Sequence, residues 1–211
     1  MKRCTQSGSN YYDDTILGKE YLDQKEIVLK RLIQPLSYTT VMDLGANDGY
    51  FSRLLATQEK VVLAVDSDSR CINNLYQYIK KEKRSNIIPL INDISNPSPS
   101  IGFNNEERSS FGNRLTADLT MALALIHHLV IAKNIPLKSL AGYFASMAPQ
   151  LIIEFVPKED EKVKQLLSGR VDVFTDYNVP SFESYFSEYY KIVAKALVPG
   201  TTRIIYSLQR K

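Results

Sequence analysis

Cysteine and histidine are scarce in this 211-residue chain, with two of each. Cys4 and Cys71 have no CxxC spacing and no histidine close by, so the sequence gives no sign of a zinc site or a disulfide framework. A reducing, cytoplasmic setting fits that usage best. His127 and His128 stand side by side with no third spaced ligand, so no metal is expected. Long apolar runs are also missing. No stretch reaches the roughly 18 residues that a membrane-spanning helix needs. Behind the basic start at Met1–Arg3 there is no apolar segment, so a signal peptide is not expected. A dominant charge is lacking as well: 26 Lys and Arg stand against 23 Asp and Glu, a net +3. That is too little for the basic footprint of a nucleic-acid binder.

What is present is ordinary for a globular protein: 44% hydrophobic and 23% charged residues, in a chain long enough to bury a full core. The first ten residues are polar and read as an extension. Leu17–Leu36 is amphipathic, with Leu22, Ile27, Val28, Leu32 and Ile33 near a helical period, and Pro35 stops it. We therefore divide the chain into residues 1–36, an extension and helix, and 37–211, one domain.

Within that domain, short apolar runs alternate with helical patterns. Strands are expected at Thr39–Leu44, Val61–Asp66, Ile87–Ile91, Asp118–Ala124, Leu151–Val156, Ile192–Leu197 and Arg203–Leu208. Helices are expected at Gly49–Thr57, Ser69–Lys81, Leu137–Met147, Glu159–Leu167 and Ser181–Tyr189, and a loop at Ser95–Arg114. Such alternation implies right-handed crossovers and a mostly parallel sheet. The last two strands, joined at Pro199-Gly200, imply an antiparallel edge. The expected class is α/β: a Rossmann-like, seven-stranded, mostly parallel sheet with an antiparallel last strand and helices on both faces.

Ligands of such sheets bind beyond the carboxyl ends of the strands. The first strand-to-helix turn reads Asp43-Leu44-Gly45-Ala46-Asn47-Asp48-Gly49. Gly45 allows a tight turn and Gly49 close packing at the helix start. The pattern is D-x-G-x-x-x-G, and Asn47 stands where a dinucleotide pyrophosphate wants bare backbone, which weighs against NAD. Asp66 ends the second strand and could accept from both ribose hydroxyls. Asp93 follows the third and could accept from the exocyclic amine of adenine, with Ile94 and Ser67 flanking the ring. Each aspartate alone could be only a helix cap; three acidic strand ends in order point to a ligand site.

With these residues placed, the chain resembles a class I S-adenosylmethionine-dependent methyltransferase over about residues 25–206. VMDLGANDGYFS matches the first motif of that family, AVDSD the second, NDIS the third, ADLTMALALIHHL the fourth and LIIEFVPK the fifth. NPSPSIGF, ALALIHHLVI and IIEFVPKED are similar to the bacterial group that includes host-specific nodulation proteins. Members of that group carry extra sequence before this domain, which implies a short form or an excised domain here. The resemblance implies S-adenosylmethionine as cofactor. Asp43 and the backbone of Gly45, Ala46, Asn47, Gly49 and Tyr50 would hold its methionine portion, Asp66 its ribose, and Asp93 with Ile94 its adenine. Ala124 and Leu125 would lie beneath the sulfonium. Asn47 departs from the usual glycine of the family.

Methyl transfer needs alignment and, where the nucleophile carries a proton, a base. His127 and His128 follow the fourth strand, where an acceptor would approach, and either could be that base. The plainer reading has one packed and the other facing solvent. Glu154 interrupts an apolar strand, and a carboxylate there is costly to bury unpaired. It is a candidate substrate or base residue, or else half of a buried pair with Lys158, His127 or Arg108. Phe103–Arg114 could cover the acceptor pocket or be a solvated loop. Tyr11, Tyr12 and Tyr21 could form a lid or simply pack. NPSP, although similar to the NPPY of amino-methylating DNA enzymes, follows the wrong strand and is set aside. A small-molecule acceptor is preferred, with nucleic acid and membrane disfavoured. The alternatives are a methyltransferase-like binding or partner subunit without catalysis and, less favoured, an NAD-dependent oxidoreductase.

Overall fold

The computed structural model describes residues 18–169 and 171–211. Seven strands form one sheet: β1 (Thr40–Leu44), β2 (Val61–Asp66), β3 (Ile87–Ile91), β4 (Leu119–Ala122), β5 (Gln150–Phe155), β6 (Tyr190–Leu197) and β7 (Ile204–Arg210). Their order is β3-β2-β1-β4-β5-β7-β6. β1 to β5 pair in parallel, and β7 runs antiparallel to both β5 and β6. The expected class is therefore the one observed. The closing hairpin differs from expectation in one respect. Its later strand, β7, inserts beside β5, so β6 becomes the edge and runs parallel to β1–β5. Burial explains the choice: β7 carries Ile205, Tyr206, Ser207 and Leu208 in succession, all buried, whereas β6 exposes Val193 and Leu197. A strand covered on both faces belongs inside a sheet.

The central strands are short apolar runs because helices cover both faces. On one face, α1 (Lys19–Ile33), α2 (Tyr50–Leu55) and α3 (Ser69–Lys81) pack over Val41, Val62, Ala64 and Ile152. On the other, α5 (Leu137–Met147), α6 (Glu161–Leu167) and α7 (Val179–Tyr189) cover Met42, Leu44, Ile153 and Phe155. Successive residues of β1 thus feed opposite cores, as the two-residue period of a strand requires. α1, the helix expected within residues 1–36, is packed into the first of these cores through Val28, Leu29, Leu32 and Ile33.

Local sequence sets the helix starts. Asp68 caps α3, accepting from the Arg70 amide at 2.8 Å, and Asp160 caps α6 by accepting from Lys162 at 2.9 Å. Asn178 accepts from the Ser181 amide at 2.9 Å and so starts α7 earlier than its apolar pattern suggests. The expected loop at 95–114 contains a one-turn 3₁₀ segment at Phe103–Asn105 and a short helix, α4 (Phe111–Arg114), anchored by buried Phe111. Among the described residues, no helix is long and apolar enough to cross a membrane.

Order along the sheet reverses between β1 and β4, which lead to opposite sides. The crevice at their carboxyl ends is where a ligand of this architecture binds.

Candidate active site

The turn leaving β1 enters that crevice. Gly45 and Ala46 donate their amides to the Val65 carbonyl at 2.8 and 3.0 Å, tying the turn to β2. Gly49 has φ +79°, and a Cβ there would lie 2.6 Å from the Leu75 side chain, so this helix start requires glycine. Asn47 has φ +52°. Asparagine is among the few residues that adopt left-handed backbone readily, which explains how it stands at a glycine position. Its side-chain oxygen accepts from Cys71 Sγ at 3.1 Å.

Asp66 organises the turn from the neighbouring strand. One carboxylate oxygen accepts from the Asn47 amide and the other from the Asp68 amide, each at 2.8 Å. A carboxylate has about four lone-pair positions, so two backbone bonds fix its orientation and leave acceptor capacity toward the crevice. Asp93 is held similarly. Its Oδ1 accepts from the Ser95 amide at 2.8 Å and the Ser95 hydroxyl at 2.6 Å, and its Oδ2 lies 3.3 Å from Lys133 Nζ. The Ser95 hydroxyl is the main influence holding the Asp93 carboxyl below the ordinary aspartate range.

These groups line a cavity of about 340 Å³. Gly45, Asn47, Asp66, Ser67, Asp93, Ile94, Ala124, Leu125 and His128 all border it. So do Asp68, Cys71, Asn92, Leu129, Ala132 and Lys133, which sequence reasoning did not select. Ala124, two residues beyond β4, has φ +50°. Non-glycine residues held there cost of order 1 kcal/mol and collect at functional sites. Nothing in the sequence announces that strain. Leu129, Ala132 and Lys133 reach the cavity because the chain after β4 winds as a π-helix over His128–Ala132, a form common at functional sites.

The remaining candidates lie elsewhere. Asp43 is buried beneath the turn, accepting from Ser52 Oγ at 2.6 Å, and burial pushes its carboxyl up to about 7. Ala46 is buried, and Tyr50 donates its hydroxyl to Glu26 at 2.7 Å. His127 is fully buried, and neither ring nitrogen has a hydrogen-bond partner among the described residues. Burial holds that imidazole far below its ordinary value and so neutral. Its ring centroid lies 4.2 Å from that of His128. Burial, reinforced by nearby Lys162, also lowers His128.

Glu154 requires a correction. It does not border the cavity but sits fully buried between α1 and the sheet. Lys25 Nζ lies 2.5 Å from one carboxylate oxygen, and the Tyr21 hydroxyl donates to the other at 3.2 Å. Arg203 donates to Tyr21 at 2.8 Å and pairs with both oxygens of Asp160 at 2.7 and 3.0 Å. The carboxylate is paired, as burial demands, but with Lys25 of the first helix and none of the partners considered from sequence. Tyr21 belongs to this cluster and does not line the cavity. Tyr11 and Tyr12 lie outside the described residues. No residue of 103–114 borders the cavity, and Phe103 is exposed. Among the described residues, no group of three or more His, Cys, Asp and Glu is placed to hold a metal ion.

Two carboxylates on adjacent strand ends, a tight turn bordering the cavity at Gly45 and Asn47 and an apolar wall at Leu125 and Leu129 suit a nucleoside bearing a charged amino-acid tail. The cofactor implied by the sequence resemblance has those parts.

No family model matches the chain. It is 41% identical over 172 residues to the nodulation protein NoeA of Rhizobium meliloti (strain 1021), an alignment covering 81% of this chain and 36% of that protein. The chain thus spans about a third of the length of that relative. Among solved structures it is similar to the N-methyltransferase NodS of Bradyrhizobium japonicum WM9, with a TM-score of 0.65 and 13% identity over 92% of this chain and 99% of that one. The complex of NodS with S-adenosyl-L-homocysteine matches with a TM-score of 0.64 and 14% identity, covering 94% and 89%. A SAM-dependent methyltransferase from Aquifex aeolicus gives 0.61 and 18%, covering 94% and 95%. The chain has the Rossmann-like fold of S-adenosylmethionine-dependent methyltransferases.

Proposed function

We propose that the chain is an S-adenosylmethionine-dependent methyltransferase acting on a small-molecule acceptor. The observation that carries the proposal is the convergence of Asp66, Asp93 and the left-handed Asn47 turn on one cavity of about 340 Å³. Asp66 would accept from the ribose hydroxyls, Asp93 and Ile94 would hold the adenine, and the turn at 45–47 would hold the methionine portion. Asp43 would support that turn from below through Ser52. The bound cofactor supplies a methyl group already activated by the positive sulfur.

The chain itself then has to align the acceptor and take its proton. His128, on the cavity wall after β4, is the group placed for both. Burial and Lys162 keep its imidazole unprotonated at neutral pH, the state a general base needs. His127 is a positioning residue: its ring packs against that of His128 and fixes one face of it. The low net charge supports a small acceptor over nucleic acid.

The test is calorimetry with S-adenosylhomocysteine, followed by turnover with screened acceptors. We expect His128→Ala to lower turnover about a hundredfold or more, the scale of general-base catalysis, while affinity for S-adenosylhomocysteine changes only slightly. Failure of the unmodified protein to bind S-adenosylhomocysteine would refute the cofactor assignment. Binding with unchanged turnover in His128→Ala would refute the role of His128.

A further inference from the structure

Lys133 and Asp93 both border the cavity and approach each other there. Asp93 follows β3 and Lys133 ends the π-helix after β4, and these strands are separated in the sheet by β2 and β1. Lys133 Nζ lies 3.3 Å from Asp93 Oδ2, so the two side chains bridge the crevice above both intervening strand ends. Both are partly exposed, at 53% and 38% of their side-chain surface. An ion pair this wet adds little to stability. Its placement is nevertheless built. The Lys133 amide donates to the His128 carbonyl at 3.0 Å, the five-residue step of a π-turn, and Ser95 locks the Asp93 carboxylate from the other side. The pair therefore presents a donor and an acceptor side by side in a cavity that Ile94 and Leu129 also line.

Adenine carries the complementary pair on one edge: N7 accepts and the adjacent N6 amine donates. The geometry points to Lys133 and Asp93 as a two-pronged reader of that edge, with Lys133 Nζ donating to N7 while Asp93 Oδ2 accepts from N6. The inference rests on the S-adenosylmethionine reading above and adds Lys133 to it as a specificity-determining residue. A guanine or hypoxanthine in the same pose would set its O6 acceptor against the Asp93 carboxylate, so the pair selects adenine.

The experiment compares S-adenosylhomocysteine with its 7-deaza analogue, in which N7 becomes C–H, by calorimetry on the intact protein and on Lys133→Met and Lys133→Arg. A hydrogen bond from a charged donor is worth roughly a tenfold or greater change in affinity. We expect the 7-deaza analogue to bind the unmodified protein about tenfold more weakly. Lys133→Met, which keeps the length of the side chain, should bind both ligands equally and weakly, and Lys133→Arg should restore part of the discrimination. Equal binding of both ligands by the unmodified protein overturns the inference and leaves the cofactor assignment standing. Absence of binding by S-adenosylhomocysteine itself overturns the cofactor assignment instead. The analogue comparison needs no variant, so a folding defect in Lys133→Met cannot obscure it.

Discussion

Replacing Glu154 by glutamine should destabilise the protein without touching cofactor binding. Lys25 and Glu154 are both fully buried, with Nζ and Oε2 2.5 Å apart. The glutamine keeps the shape and one acceptor for Lys25 and Tyr21 but removes the charge. Arg203 retains Asp160, its bidentate partner. Among the described residues Lys25 has no such second carboxylate partner: the other acidic influence on it is Asp43, which contributes least. Breaking a buried pair by removing one member costs about 3–5 kcal/mol, because the survivor stays charged in a low-dielectric site or gives up its proton. At roughly 2–4 °C per kcal/mol for a chain of this size, the melting temperature should fall by about 6–20 °C.

The pH dependence distinguishes this mechanism from a packing defect. Burial already lowers the Lys25 pKa, and loss of Glu154 lowers it further. The unfolded chain then binds a proton that the folded chain does not, so the stability of the variant should rise with pH up to the ordinary lysine value. Denaturant titrations of both proteins at several pH values, with S-adenosylhomocysteine calorimetry alongside, would measure this. The paired replacement Lys25→Met with Glu154→Leu should recover most of the loss, since apolar substitution of a whole buried pair is near neutral. A stable Glu154→Gln protein with collapsed turnover would refute the reasoning and return Glu154 to the catalytic group.

Three further outcomes are expected. Asp66→Ala removes the acceptor that orients the Asn47 turn and that we propose for the ribose; affinity for S-adenosylhomocysteine should drop roughly ten- to hundredfold by calorimetry. At Asn47 the left-handed backbone should tolerate glycine but charge about 1–2 kcal/mol for valine, read from urea midpoints. Asp43 has its carboxyl raised from 3.8 to about 7, so the folded state holds a proton that the unfolded state has lost between those values. Its contribution to stability should therefore fall as pH climbs from about 4 to 7, and Asp43→Asn should flatten that part of the stability profile.

The strands of the fold were legible because the central sheet is buried on both faces. A strand such as β2, with nothing polar until Asp66, leaves a pattern no surface segment imitates, and its bounds match the expectation residue for residue. β7 shows where that legibility stops. Sequence adjacency makes β6 and β7 a hairpin, but which of them takes the edge depends on how much apolar surface β5 offers, a comparison between segments far apart in the chain. The π-helix after β4 escaped for another reason. One inserted residue per turn leaves the apolar pattern of His128–Ala132 nearly unchanged, yet it is what brings Lys133 to the cavity.

The site divides along the same physical line. Asp66, Asp93 and Asn47 could be selected because each stands at a position fixed by local chain geometry: the end of a strand or the apex of a turn. Side chains at such places point into the crevice whatever the rest of the sequence does. Glu154 sits mid-strand, and a mid-strand carboxylate can be a buried partner or a reacting group with no difference in its neighbours along the chain. What decides is a lysine 129 residues away on α1. His127 and His128 pose the same problem in miniature. Two adjacent identical residues on a helical turn cannot both face one cavity, because consecutive positions lie about 100° apart around the axis. One had to be buried and one available, and only the winding of the segment selects His128. The acceptor role we propose for His128 thus depends on contacts between distant segments. Variants of the histidine pair measured against Glu154→Gln would show whether that assignment holds: loss of turnover should follow His128, and loss of stability should follow Glu154.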